Sequence, residues 1–128
     1  MEVMLDDIPV MYVLSPSGPE GAKQAFNALE SRFKSLRGRR FYGTFYEGEY
    51  RACVAIQPDD NPEGLRLETS TIPGGKYVRE KLMNWTRRVP EIGKIFKQMG
   101  EEYSCDPDRP SIEYYKSQFE LHLLLPVK

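Results

Sequence analysis

Ile8-Pro9-Val10-Met11-Tyr12-Val13 near the start of the chain is echoed at its middle by Ile72-Pro73-Gly74-Gly75-Lys76-Tyr77-Val78. An amphipathic helical stretch, a basic turn and two aromatic-rich strand candidates follow each segment. This recurrence constrains the fold more than any other feature. It predicts two similar α+β halves, about residues 8–58 and 65–128, within one domain spanning 1–128. Duplicated halves of this kind commonly meet along a pseudo-two-fold axis. Their meeting leaves a cleft between two helices, a natural place for a ligand.

The local patterns fill in each half. Val10 to Leu14 is β-branched and aromatic, as a strand requires. Ser17 and Glu20 have the spacing of a capping box, and Pro19 suits an early helical position. Ala22, Phe26, Leu29, Phe33 and Leu36 then form one apolar stripe at three- and four-residue intervals, with Arg37 and Gly38 at the expected end. Phe41 to Tyr46 and Tyr50 to Gln57 form a hairpin through Glu47-Gly48-Glu49. In its second strand Tyr50, Ala52, Val54 and Ile56 share one face, and Arg51, Cys53, Ala55 and Gln57 the other.

Pro58 to Gly64 divides the halves. Leu65 to Ser70 alternates as a strand, Gly74-Gly75 marks a bulge or bend, and Lys76 to Leu82 resumes extended structure. Ile92, Ile95, Phe96 and Met99 give the second helix its stripe, with Pro90 near the start. Ser111 to Lys116 and Phe119 to Leu125 close the chain as a hairpin. The order β-α-β-β, twice, predicts an α+β fold: an antiparallel sheet with two helices on one face.

Composition limits the function. Net charge is −1, so no global field favours nucleic acid or anionic lipid. No apolar run is long enough to span a bilayer, and the N-terminus lacks a signal pattern. The two cysteines, Cys53 and Cys105, form no CxxC pair or disulfide framework, and a cytoplasmic setting is expected. With one histidine and no clustered ligand spacing, no metal is expected, nor any other cofactor. No nucleophile motif or phosphate loop occurs. The eight tyrosines outnumber the six phenylalanines. A ring with a polar tip suits a half-wet surface, which leans toward a pocket.

Several segments together resemble the GyrI-like small-molecule-binding domains. These are Arg40-Phe41-Tyr42-Gly43, Glu49 to Val54, Thr71-Ile72-Pro73-Gly74-Gly75-Lys76-Tyr77, Asp108 to Tyr115 and Leu125-Pro126-Val127-Lys128. The resemblance implies a duplicated βαββ (SHS2-type) fold with a ligand cleft between its helices. In that family the module senses amphipathic or cationic drugs behind DNA-binding domains. It also occurs alone, in gyrase-inhibitory proteins and in hydrolases that open cyclopropane rings of genotoxins. This chain has no helix-turn-helix segment and looks like a stand-alone version.

One departure concerns charge. Where family members often carry a cleft-facing acid in the last strand, this chain has His122. Glu120 lies two residues earlier on the same strand face, and Glu113 is the other candidate for the displaced charge.

The expected lining is Tyr42, Tyr46, Trp85, Glu113, Tyr115, Glu120 and His122. An acid among tyrosines holds an organic cation by charge and by ring quadrupole. The leading expectation is therefore a binder of an amphipathic or aromatic small molecule, acting in sensing or sequestration. The alternatives are a cofactor-independent hydrolase of strained electrophiles, with Glu113 or Glu120 as acid/base, and a protein-interaction module with gyrase as the family precedent. The sequence leaves the oligomeric state open.

Overall fold

The computed structural model describes residues 1–128. Alternation of side chains across the pleat resolves into eight strands: β1 (Glu2–Leu5), β2 (Ile8–Ser15), β3 (Phe41–Tyr46), β4 (Glu49–Ala55), β5 (Glu68–Ile72), β6 (Gly75–Met83), β7 (Ser111–Tyr115) and β8 (Glu120–Pro126). Two α-helices, α1 (Ala22–Glu30) and α2 (Val89–Glu102), are inserted after β2 and β6. All eight strands form one antiparallel sheet in the order β1-β6-β8-β7-β3-β4-β2-β5. The fold is α+β. No helix is long and apolar enough to cross a membrane.

Register decides which residues share a face, because directly paired residues project to the same side. One rung runs Val13–Ala52–Gly43–Glu113–Leu123, and the next Val54–Phe41–Tyr115–Leu121–Leu82. On this face α1 packs Ala25 and Leu29 over Met11, Ala52 and Val54 of β2 and β4. There too α2 packs Met99, with Ile92, Ile95 and Phe96 partly buried, over Leu82, Leu121 and Leu123 of β6 and β8. The helices therefore sit to either side of β3 and β7, the two central strands, and leave those strands uncovered.

The opposite face is buried without helices. Tyr42, Cys53, Ile112 and Leu124 join Tyr77 from near one edge of the sheet and Val10 and Ile72 from near the other in a single cluster, with Val3, Leu5 and Ile8 packed against it. Elements from both edges reach the same cluster because the sheet curls over this face. Arg109 ties the β6 side of this face to the end of the chain. Its guanidinium lies 4.8 Å from the Tyr77 ring centroid, pairs with Asp106 and donates to the Val127 carbonyl at 2.8 Å.

Several boundaries differ from the sequence reading. β1 was not anticipated; it is a short edge strand held on β6. The strand expected from Leu65 begins at Glu68, because Arg66 takes φ 58° inside a turn. The capping box does not form: Ser17 makes no side-chain capping bond, and a 3-10 turn over Gly18–Gly21 precedes α1. α1 also stops at Glu30 instead of running to Leu36. At its end the Ser31 hydroxyl donates to the Ala28 carbonyl at 2.7 Å, a local bond that competes with helix continuation. Phe33 still packs on the core, beneath the Arg39 guanidinium at 4.4 Å.

Candidate functional site

The gap left between the helices is a cavity of about 990 Å³, at the upper end of the range for small-molecule sites. Its walls are Ala22, Phe26 and Glu30 of α1 and Val89, Ile92 and Phe96 of α2. Its floor is Phe41, Gly43 and Phe45 of β3, Ser111, Glu113 and Tyr115 of β7, and Tyr50 of β4. Trp85, in a 3-10 turn before α2, also lines it. The aromatic rings brace one another edge to face. Phe26 lies 5.1 Å from Tyr115 and 6.5 Å from Tyr50, and Trp85 lies 5.1 Å from Tyr115. The Trp85 indole N–H donates to the Ser117 carbonyl at 2.9 Å, which fixes the ring.

Glu113 is the centre of the floor. The hydroxyls of Tyr50 and Tyr115 each donate to its Oε1 at 2.6 Å, and lie 3.3 Å from each other. Its Oε2 makes no hydrogen bond, yet no buried side-chain oxygen in the molecule is left unpartnered. Oε2 is therefore open to the cavity. The arrangement presents one carboxylate oxygen, fixed through its twin, at the bottom of an aromatic bowl.

Burial first, and then the charge of Glu113, push both phenols well above the ordinary tyrosine range. This carries a prediction. A group whose folded-state pKa is raised stabilises the fold fully below its unfolded value, about 10 for tyrosine, and that stability is lost as pH rises toward the folded value. Denaturation midpoints are expected to decline above about pH 10, and Tyr50→Phe to make the decline shallower.

Three of the expected lining residues, Trp85, Glu113 and Tyr115, come together in this cavity. The other four lie on the opposite face of the sheet. Tyr42 is buried there, stacked on Tyr114 at 5.0 Å, and Tyr114 meets His122 edge to face at 5.6 Å. His122 hydrogen-bonds Glu120 beside Lys81 and Lys116. Tyr46 borders a separate hollow of about 220 Å³ with Arg51 and Thr44. The reason is strand parity. In β3 the odd residues face the cavity and the even ones face away, and aromatic residues stand on both faces, so composition does not reveal which is inside.

Glu120 and His122 thus stand on the face away from the cavity, and Glu113, one strand away, lies in it. Sequence reasoning passed over Phe26, Phe41, Phe45, Phe96, Gly43 and Tyr50. The parity of Tyr50 with Ala52 and Val54 was the available signal.

Elsewhere the chemistry is quiet. Burial pushes the Cys53 thiol up to about 12, so it is protonated and unreactive at neutral pH. No three His, Cys, Asp or Glu side chains cluster as a metal site would require.

No family model matches this chain, and no curated protein does. Solved structures do. An integron cassette protein from the mobile metagenome of Vibrio cholerae is 15% identical with a TM-score of 0.73, over 100% of this chain and 95% of its own. A protein named SAV2435, solved bound to tetraphenylphosphonium, is 13% identical with a TM-score of 0.62, over 100% and 93%. A hydrolase from Listeria innocua is 15% identical with a TM-score of 0.58, over 100% and 90%. The likeness is one of fold.

Proposed function

We propose that this chain is a GyrI-like small-molecule-binding domain that holds an amphipathic, aromatic cation between α1 and α2, for sensing or sequestration. The observation that carries the reading is the Glu113 carboxylate, pinned by two phenols and open at Oε2, at the base of an aromatic cavity. Ring faces and a fixed negative charge are both attractive to an organic cation, each ring by about 0.5–2 kcal/mol. The architecture supports the family reading. Read outward from the centre, the strands run β3-β4-β2 on one side and β7-β8-β6 on the other, as two βαββ units related by a pseudo-two-fold axis would. SAV2435, of similar fold, was solved with an aromatic cation.

The probe of choice is tetraphenylphosphonium. Trp85 is the only tryptophan and borders the cavity, so its fluorescence reports occupancy. A saturable fluorescence change, together with a rise in melting temperature, is expected. If neither this cation nor a panel of amphiphilic cations and anions produces one, the binding reading fails.

A second reading has specific support. Similar structures are described as hydrolases, and Glu113 with the Tyr115 hydroxyl offers a proton acceptor and a proton donor on one surface. Under this reading Glu113 is the acid/base and Glu120, on the opposite face, takes no part. Turnover of a cyclopropane-bearing electrophile that is lost in Glu113→Gln would favour it; turnover that survives this substitution would remove Glu113 from the role.

A further inference from the structure

The floor of the cavity depends on a residue without a side chain. Gly43 pairs with Ala52 of β4 on one side and Glu113 of β7 on the other. Tyr50 and Glu113 thus stand on opposite flanks of β3, and the phenol reaches the carboxylate by passing over Gly43. A β-carbon at this position would lie 2.7 Å from Glu113 Oε1 and 2.8 Å from Tyr50 Cζ, and nearer still to the Tyr50 hydroxyl. The backbone itself does not call for glycine, since Gly43 is not among the residues with positive φ. Nor does the face exclude bulk, because Phe41 and Phe45 project to the same side. Tyr50 is 2% exposed and braced by Phe26, and moving its ring aside would take its hydroxyl off Glu113 Oε1.

We propose that Gly43 is a positioning residue of the cavity: its missing side chain lets Tyr50 hold Glu113 by Oε1, and so makes Oε2 the single oxygen presented to a ligand. The inference rests on the cavity being a ligand site, while the Gly43–Tyr50 coupling itself can be tested without any ligand.

The test is a double-mutant cycle of Gly43→Ala and Tyr50→Leu. With Tyr50 present, Gly43→Ala is expected to lower the melting temperature. With leucine at 50 it should be neutral or stabilising, because alanine restricts the unfolded chain more than glycine does. Ultraviolet titration of Gly43→Ala should show a buried tyrosine ionising at lower pH than in the wild type, because the contribution of the Glu113 charge to Tyr50 is lost while its burial remains. Its affinity for tetraphenylphosphonium should fall roughly tenfold or more. An equal loss of stability in both backgrounds, with an unchanged tyrosine titration, overturns the proposal. If Gly43→Ala does not fold, a folded double variant still supports the coupling, and an unfolded double variant overturns it. Absence of tetraphenylphosphonium binding to the wild type would refute the ligand reading alone, and the stability cycle would still decide the coupling.

Discussion

Replacing Glu113 by glutamine is expected to weaken tetraphenylphosphonium binding about thirtyfold, corresponding to roughly 2 kcal/mol. Glutamine keeps an acceptor for the Tyr50 and Tyr115 hydroxyls, which now converge on Oε1. It removes only the charge, and it turns the open Oε2 position into an amide donor. The cavity shape and its aromatic walls stay in place. The measurement is a Trp85 fluorescence titration of the two proteins side by side, repeated with an uncharged aromatic compound of similar size. The neutral compound should bind both proteins alike. Equal loss for the charged and neutral compounds would mean that the substitution had damaged the walls, and no loss for the cation would mean that Glu113 does not set the charge preference.

Met99→Ala is expected to cost about 3 kcal/mol of stability and to weaken probe binding, although Met99 does not line the cavity. The reason lies in how α2 is held. Met99 is its one buried residue, at 2% exposure, inserted among Leu82, Leu121 and Leu123. Ile92 and Phe96 bury only part of themselves and turn the rest to the cavity. Removing Met99 deletes the main anchor of one cavity wall and leaves a void that the curled sheet cannot collapse to fill. Chemical denaturation reads the stability loss, and Trp85 titration reads the binding. A loss under about 1 kcal/mol with binding intact would show that the partly buried residues suffice to seat α2.

Much of the architecture is legible in the chain. The hairpins are written in alternating apolar and aromatic residues around Glu47-Gly48-Glu49 and Ser117-Gln118. The stripe Ile92, Ile95, Phe96 and Met99 predicts the side of α2 that packs. Glu113 and Tyr115 share a face by their spacing, and the structure places both in the cavity with Trp85. What misled was aromatic richness on both sides of β3. Tyr42 and Tyr46 look as suitable as Phe41 and Phe45, and only parity relative to the helices separates them. The side on which His122 stands is hidden for the same reason: its strand alternates between two buried faces, so apolar neighbours on either side say nothing about which face holds a cavity.

The sequence by itself determined most of the strands, both helices and the presence of an acid among tyrosines, because periodicity is a local property of the chain. The tertiary structure alone decided that β3 and β7 meet at the centre and stay uncovered, and that Tyr50 crosses Gly43 to reach Glu113. Those facts depend on register and on which strand lies beside which. They join residues far apart in the chain, Gly43 to Glu113 and Tyr50 to Tyr115. No local pattern encodes such a pairing; it arises only when β3 and β7 come side by side in the folded sheet.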